Sequence, residues 1–160
     1  MTYFTEQQSP LGTLVLAATE HGLCGLYFEE HKYFKGTHGW QRNDTHPHLQ
    51  KAARQLDEYF AGQRSAFDVD LDLRGTAFQQ AVWRALQALP FGSTTSYGMI
   101  ANALANPRAV RASGTAIGRN PVSIIVPCHR VLGTSGELSG YAGGLERKRY
   151  LLALEKGTSQ

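Results

Sequence analysis

Residues 96–118 read SYGMIANALANPRAVRASGTAIG and decide the fold of the second half of the chain. A helix is predicted to start near Ser96, and Asn106 and Pro107 should end it because proline cannot continue a helix. A second helix, rich in small residues, is predicted from about Arg108 to Gly118. Two helices joined by a tight turn, the second carrying arginine, are typical of a helix-turn-helix that binds DNA. Such pairs are also common in protein cores, so spacing alone leaves both interpretations open.

A longer helix is predicted just before this pair. Thr76 and Gln79 have the spacing of a capping box, in which two side chains satisfy backbone N–H groups at a helix start. Pro90 and Gly92 are expected to end the helix. Apolar side chains at helical spacing form its buried stripe: Phe78, Val82, Ala85, Leu86 and Leu89. The carboxy-terminal half is therefore predicted to be mostly α.

The amino-terminal half is predicted to combine a small antiparallel sheet with one helix. The apolar runs 13–18 and 23–28 are separated by a short polar turn, which favours a β-hairpin. Residues 31–48 are polar and rich in histidine, as expected of a loop. Apolar residues from Leu49 to Phe60 recur at helical spacing, and Gly62 stands where a helix C-cap belongs.

Residues 67–73 alternate between apolar side chains and Asp68, Asp70 and Asp72, a pattern that predicts a strand with one exposed face. Three carboxylates on one face also fit a metal site, but no neighbouring histidine completes a ligand set, and we favour a solvated face. At Arg74 and Gly75 the composition changes from acidic to basic. We therefore predict two domains, an α/β domain over residues 1–75 and a mostly α domain over residues 76–160.

Charge is divided unevenly between these halves. Residues 1–75 carry 7 Lys/Arg and 10 Asp/Glu, whereas residues 76–160 carry 9 and 3. A basic half indicates a polyanionic partner, with nucleic acid the leading candidate, although an unevenly charged solvated surface would give the same counts.

A cytoplasmic location without membrane attachment is predicted. The first ten residues lack the basic and apolar regions of an export signal, and no apolar run is long enough to cross a bilayer. In that compartment Cys24 and Cys128 should both stay reduced.

Residues 120–133 read NPVSIIVPCHRVLG and contain the candidate nucleophile. Residues 122–126 are predicted to form a buried strand with Cys128 at its end. A thiolate is the nucleophilic form of cysteine, and cations such as His129 and Arg130 can push a nearby thiol toward it. Adjacent residues do not usually face each other, so the sequence does not show that either cation touches the sulfur. For Cys128 taken alone, the interpretations as a buried structural cysteine and as a nucleophile are equally open. Cys24, inside a strand-like run, is predicted to be a core residue.

This segment, followed by GYAGGLERKRYLL, resembles the active-site region of the O6-alkylguanine-DNA alkyltransferases. The resemblance extends back through TTSYGMIA and RAVRASG to FQQAVWRAL, in the same order. The amino-terminal half is similar to the family's smaller α/β domain in layout only. The resemblance implies a winged helix-turn-helix in the second domain and direct reversal of DNA damage. The alkyl group of O6-alkylguanine, or of O4-alkylthymine, would pass irreversibly and once only to Cys128.

Catalytic roles follow from the resemblance residue by residue. Cys128 would attack the alkyl carbon after the damaged nucleotide has been flipped out of the stack. His129, acting through a water and oriented by Glu155, would take the thiol proton, with the carboxylate favouring the imidazolium and the imidazolium favouring the thiolate. Tyr97 would stabilise the guanine ring as it gains negative charge. Asn120 would brace the turn before the active-site loop.

DNA contacts are also implied by the resemblance. Arg111 matches the arginine that fills the gap left by the flipped base, and Ala112 and Gly114 would let the helix approach the minor groove closely. Arg130 is assigned to DNA binding as well. The loop that lines the base pocket is matched by Tyr141, Ala142 and Gly143, where some relatives have serine in place of the alanine.

Neither a cofactor nor a metal is predicted. Some relatives hold a structural zinc in the amino-terminal domain, but the spacing of Cys24 and the histidines fits no ligand set here. The predicted partner is double-stranded DNA containing O6-alkylguanine. Without DNA the protein is expected to be a monomer. Whether it binds cooperatively along DNA is left open.

Two other functions remain to be distinguished. A recognition-only protein would bind damaged DNA without accepting the alkyl group, but relatives of that kind replace the cysteine that this chain retains. A cysteine hydrolase using Cys128 and His129 would turn over many ester or amide molecules per chain, and it would leave the basic half without a purpose.

Overall fold

A computed structural model describes residues 1–157 of the chain. Its amino-terminal half contains a four-stranded sheet of order β3-β2-β1-β4, formed by β1 (Tyr3–Ser9), β2 (Gly12–Ala18), β3 (Leu23–Phe28) and β4 (Gln41–Arg42). The hairpin predicted for β2 and β3 is confirmed. The sheet is mixed rather than purely antiparallel, because β4 pairs parallel with β1 at the edge. Sequence reasoning had assigned no strand to β1 and a loop to β4.

The predicted helix of this half is α1 (Pro47–Phe60), which packs against the sheet. Its buried face includes Leu49, Ala52, Leu56 and Tyr59. Gly62 has a φ of +75°, a left-handed conformation that glycine adopts without strain after a helix end. The helical spacing of the apolar residues therefore identified this element correctly.

Residues 67–73 are extended but do not form the predicted strand. A single bridge joins Leu71 to Leu23, flanked by two backbone hydrogen bonds, and no ladder continues from it. The alternating pattern is satisfied instead by apolar side chains that pack on the core from one side. Within residues 1–157, no group of three or more His, Cys, Asp or Glu is arranged to hold a metal ion.

The carboxy-terminal half is mostly helical, as predicted. Its elements are α2 (Ala77–Gln87), β5 (Thr95–Ser96), α3 (Tyr97–Ala103), α4 (Val110–Gly118), β6 (Val131–Leu132) and α5 (Leu145–Glu155). The capping box of Thr76 and Gln79 is present at the start of α2. Ser96 caps α3, since its hydroxyl accepts a hydrogen bond from Met99 N–H. The pair α3 and α4 forms the predicted helix-turn-helix, and β5 pairs parallel with β6 beside it.

Residues 122–126 are buried but do not form the predicted strand. One bridge links Val122 to Leu26 of β3, and the chain then turns through Ile124, whose φ is +71°. The apolar run is explained by burial alone, because it fills the core between the two halves. These residues thereby connect the amino-terminal sheet to the segment that carries Cys128. Among residues 1–157, no helix has the length and apolar content needed to cross a membrane.

Candidate active site

Cys128 lies at the start of a 3₁₀ turn, Cys128–Arg130, and is 7% exposed. Its exposed edge opens into a cleft of about 680 Å³ between the helix-turn-helix and the loop that follows β6. The cleft is also lined by Tyr97, Arg111, Gly114, Gly140, Tyr141 and Ala142. Several predicted site residues that are far apart in sequence therefore meet around one thiol.

The thiol of Cys128 is not held as a thiolate in this structure. Burial raises its pKa to about 11, although a hydrogen bond from Asn120 and the charge of Lys148 act in the opposite direction. His129 and Arg130, the cations next to Cys128 in sequence, are both directed to Glu155, so neither makes a direct hydrogen bond to the sulfur.

His129, Arg130 and Glu155 form a buried cluster behind the nucleophile. His129 Nε2 lies 2.6 Å from Glu155 Oε2, and Arg130 donates from Nε to Oε1 at 2.8 Å and from Nη2 to Oε2 at 2.9 Å. Burial alone would raise the pKa of Glu155, but the hydrogen bonds from His129 and Arg130 outweigh it and hold the pKa well below its usual range. The carboxylate is therefore ionised and fixed in direction.

Arg130 is not available to DNA. It is 6% exposed, and its third nitrogen, Nη1, donates to the Leu89 carbonyl at 2.7 Å. The assignment of Arg130 to DNA binding is corrected, because the guanidinium is consumed by a buried carboxylate and a backbone carbonyl. The 3₁₀ turn directs the Arg130 side chain inward, away from the protein surface.

His129 faces Glu155 with one ring nitrogen and leaves the other without a partner in the described part of the chain. Full burial lowers its pKa, while the hydrogen bond and charge of Glu155 act in the opposite direction, as expected of a carboxylate that favours the imidazolium. Since an ionised carboxylate cannot donate, Nε2 carries the hydrogen that faces Glu155. Nδ1 is buried and has no hydrogen-bond partner among residues 1–157. That nitrogen is the atom of the ring that can accept a proton.

Asn120 and Tyr97 each fix a chain segment beside Cys128 through hydrogen bonds to the backbone. Asn120 donates from Nδ2 to the Val126 carbonyl at 2.7 Å and accepts from Val122 N–H at 2.9 Å, so it closes the turn that precedes Cys128. The Tyr97 hydroxyl donates to the Ser139 carbonyl at 3.1 Å on the opposite wall. Its side chain is partly buried and lines the cleft.

The pocket loop contributes Tyr141 and Ala142 to the cleft, but not Gly143. Gly143 is buried beneath the loop, and a Cβ there would lie 2.4 Å from Cδ2 of Phe28. Its placement in the substrate pocket is corrected. Glycine is needed at this position because the loop packs directly on the aromatic ring of β3.

Replacing Gly143 with alanine should therefore destabilise the fold. We expect the free energy of unfolding to fall by about 1 to 3 kcal/mol, the usual range for overpacking a core. Urea unfolding measures it. The matched control is Gly98→Ala, because a Cβ at Gly98 would meet only Ser96 Oγ at 3.9 Å. Equal stability of the two variants would contradict the packing argument.

The helix α4 presents the predicted DNA-contacting residues on one side of the cleft mouth. Arg111 and Ala112 are exposed, and Gly114 lies where an added Cβ would come 3.6 Å from the Tyr97 ring. Trp83 Nε1 donates to the Ala116 carbonyl at 2.9 Å and anchors the helix on α2. The helix is therefore a firmly seated surface whose small residues leave its backbone accessible.

Two family descriptions match this chain. Residues 77–157 match the 6-O-methylguanine DNA methyltransferase, DNA binding domain, and residues 2–73 match the 6-O-methylguanine DNA methyltransferase, ribonuclease-like domain. The chain belongs to the 6-O-methylguanine DNA methyltransferase family.

Individual family members are similar over nearly their whole length. The methylated-DNA–protein-cysteine methyltransferase of Mycolicibacterium paratuberculosis is 48% identical over 98% of this chain and 93% of the relative. The protein of that name from Methanosarcina acetivorans is 46% identical over 96% and 97%. Among solved structures, Mycobacterium tuberculosis O6-methylguanine methyltransferase has a TM-score of 0.90 at 48% identity, covering 100% of this chain and 96% of the other. M. tuberculosis OGT in complex with DNA also has a TM-score of 0.90 at 48% identity, covering 97% and 93%.

Two buried side chains near the nucleophile of this methyltransferase family member were missed by sequence reasoning. Lys148 is 0% exposed, and its ammonium donates to the carbonyls of Ser139 at 2.7 Å and Gly140 at 3.1 Å. Tyr59, from the other half of the chain, donates to Glu155. Within ERKRYLL, Lys148 resembles the solvated cations beside it. Only its position on the buried face of α5, which the structure shows, distinguishes it from them. No sequence signal joins Tyr59 to Glu155.

Removing the charge of Lys148 should slow alkyl transfer. Lys148→Met takes away a cation that favours the thiolate and leaves two loop carbonyls unpaired. We expect a single-turnover rate about tenfold lower, equivalent to a change of one pKa unit at the sulfur. Quenched-flow measurement of transfer from methylated DNA tests this, with Lys156→Met as the control, because Lys156 is exposed and directly follows the same helix. An unchanged rate would rule out this role for Lys148.

Proposed function

We propose that this chain repairs DNA as a methylated-DNA–protein-cysteine methyltransferase, moving the alkyl group of O6-alkylguanine in double-stranded DNA onto Sγ of Cys128. The observation that carries the proposal is the position of this thiol. It lies in a cleft beside the helix-turn-helix, with the His129–Glu155 pair behind it. Whether O4-alkylthymine is a second substrate for the same displacement is left open.

The transfer is a single displacement at carbon. Sγ of Cys128 forms a bond to the alkyl carbon while the bond from that carbon to guanine O6 breaks, and the bonding electron pair leaves with the guanine. The thiol proton passes to Nδ1 of His129, directly or through a water, and the resulting imidazolium is stabilised by Glu155. The Tyr97 hydroxyl stabilises the leaving guanine. A proton returned to the ring gives normal guanine, and because the thioether is stable, each chain reacts once.

Access to O6 requires the damaged nucleotide to leave the base stack, since stacked bases shield the reacting atom. We propose that α4 enters the minor groove, with Ala112 and Gly114 allowing close approach and Arg111 filling the gap left by the flipped base. Tyr141 and Ala142 would contact the flipped base within the cleft. The thiol itself accepts the alkyl group, so the reaction needs neither cofactor nor metal.

We propose that the protein acts as a monomer in the cytoplasm, where Cys128 stays reduced and DNA is accessible. The boundary between an α/β support domain and the DNA-binding domain is proposed at residues 75 and 76.

Mass spectrometry tests the function directly. The protein is mixed with one equivalent of duplex DNA containing a single O6-methylguanine, and intact and peptide masses are measured. The proposal expects a gain of one methyl group on Cys128 that saturates at one per chain. Binding of the duplex without any gain in mass would favour the recognition-only alternative, and repeated turnover of small esters would favour a hydrolase.

A further inference from the structure

Tyr59 belongs to the α/β half, yet its hydroxyl reaches the carboxylate behind the nucleophile. It lies near the end of α1, is 1% exposed, and donates to Glu155 Oε2 at 2.7 Å. The two residues are 96 positions apart in the chain. The amino-terminal half thus contributes one polar group directly to the active-site cluster.

That hydroxyl shares its acceptor with the proposed base. Oε2 of Glu155 also receives His129 Nε2 at 2.6 Å and Arg130 Nη2 at 2.9 Å. Each donor to a carboxylate oxygen draws off part of its negative charge. A hydrogen bond from Tyr59 therefore both fixes the direction of Oε2 and weakens its pull on the proton of the imidazole.

The hydroxyl is held as a donor in a rigid position. Burial, and then the neighbouring Glu155 carboxylate, raise the pKa of Tyr59 far above its usual value, so the group keeps its proton. Its ring packs against Phe60 and Phe67 with centroids 5.4 Å away in each case, and against Phe91 at 6.3 Å. The other titratable groups acting on this cluster include Arg130, Lys148 and Tyr150, all from the carboxy-terminal half.

We propose that Tyr59 is a positioning residue for alkyl transfer, aiming Glu155 at His129 and weakening the pull of that carboxylate on the imidazole proton. The inference rests on the proposed function of the site. It gives the α/β half a part in the chemistry as well as in packing. The chain then needs both halves for a correctly poised base.

The test is Tyr59→Phe, which removes the hydroxyl and keeps the packed ring. Without the competing hydrogen bond from Tyr59, Glu155 attracts the His129 proton more strongly and raises the pKa of the imidazole. In the pH profile of the single-turnover rate, the acid limb should therefore move upward by about half a pH unit. The rate on that limb then falls about threefold, while the rate at high pH stays near that of the wild type. The ¹⁵N shifts of the His129 ring in unreacted protein should titrate with the same displacement.

Controls separate this role from a structural one. Tyr3→Phe removes a hydroxyl elsewhere in the α/β half and should shift neither titration nor rate. In a Glu155→Gln background, the effect of Tyr59→Phe should disappear, because the two residues act through one oxygen. A folded Tyr59→Phe protein with an unshifted His129 titration would overturn the inference, whatever its melting temperature. Failure of the wild type to accept a methyl group would instead overturn the proposed function and leave the titration test standing.

Discussion

Replacing Cys128 with serine should abolish alkyl transfer while leaving the fold and DNA binding intact. Serine is close in size but a far weaker nucleophile at neutral pH, because its hydroxyl is far harder to deprotonate than a thiol. We expect the single-turnover rate with O6-methylguanine duplex to fall by at least about a thousandfold. Intact mass measures the transfer, and fluorescence anisotropy with the same duplex measures the binding.

The second cysteine of the chain supplies the matched control. Cys24 lies in β3, outside the cleft, and burial raises the pKa of its thiol. Cys24→Ser should therefore accept one methyl group at the wild-type rate. Methyl gain by Cys128→Ser, or its loss in Cys24→Ser, would show that the nucleophile has been misassigned.

Replacing Arg130 with methionine should destabilise the protein strongly. The arginine supplies two of the hydrogen bonds that hold the Glu155 carboxylate, and both side chains are buried. Removing one partner of a buried ion pair leaves the other charge poorly compensated and typically costs about 3 to 5 kcal/mol. Since His129 and Tyr59 still donate to Glu155, we expect a loss of about 3 kcal/mol in urea unfolding.

Arg111→Met is the complementary control, because it removes an exposed arginine from α4. Its free energy of unfolding should stay within about 0.5 kcal/mol of the wild type, while transfer from duplex DNA slows. Arg130→Met is thus expected to lose stability, whereas Arg111→Met is expected to lose DNA repair at unchanged stability. Weakened DNA binding by Arg130→Met at unchanged stability would restore the role that sequence reasoning gave this residue.

Local patterns predicted local structure well. The capping box of Thr76 and Gln79, the helix start near Ser96 and the glycine after α1 all form as expected, because each depends on residues within a few positions of one another. The helix-turn-helix and the β2–β3 hairpin were identified for the same reason.

Longer-range features were predicted less well. Residues 67–73 and 122–126 have strand-like patterns, yet each makes a single bridge, because apolar alternation and apolar runs report burial and not the presence of a pairing partner. The strand β1 was missed, although it pairs along its whole length with β2. Strand pairing depends on which other strand lies alongside in the fold. Local composition does not contain that information.

The sequence by itself determined the family, the candidate nucleophile Cys128 and the residue types placed around it, because these follow from motifs of adjacent residues. Only the tertiary structure decided what each side chain does there. It turned Arg130 inward to Glu155, placed Gly143 beneath its loop, buried Lys148 beside the cleft and brought Tyr59 to the active-site carboxylate. Burial also raised the pKa of the Cys128 thiol and lowered the pKa of the His129 imidazole. The physical reason is that hydrogen-bond partners and desolvation are set by residues distant in the chain, and folding alone brings these together.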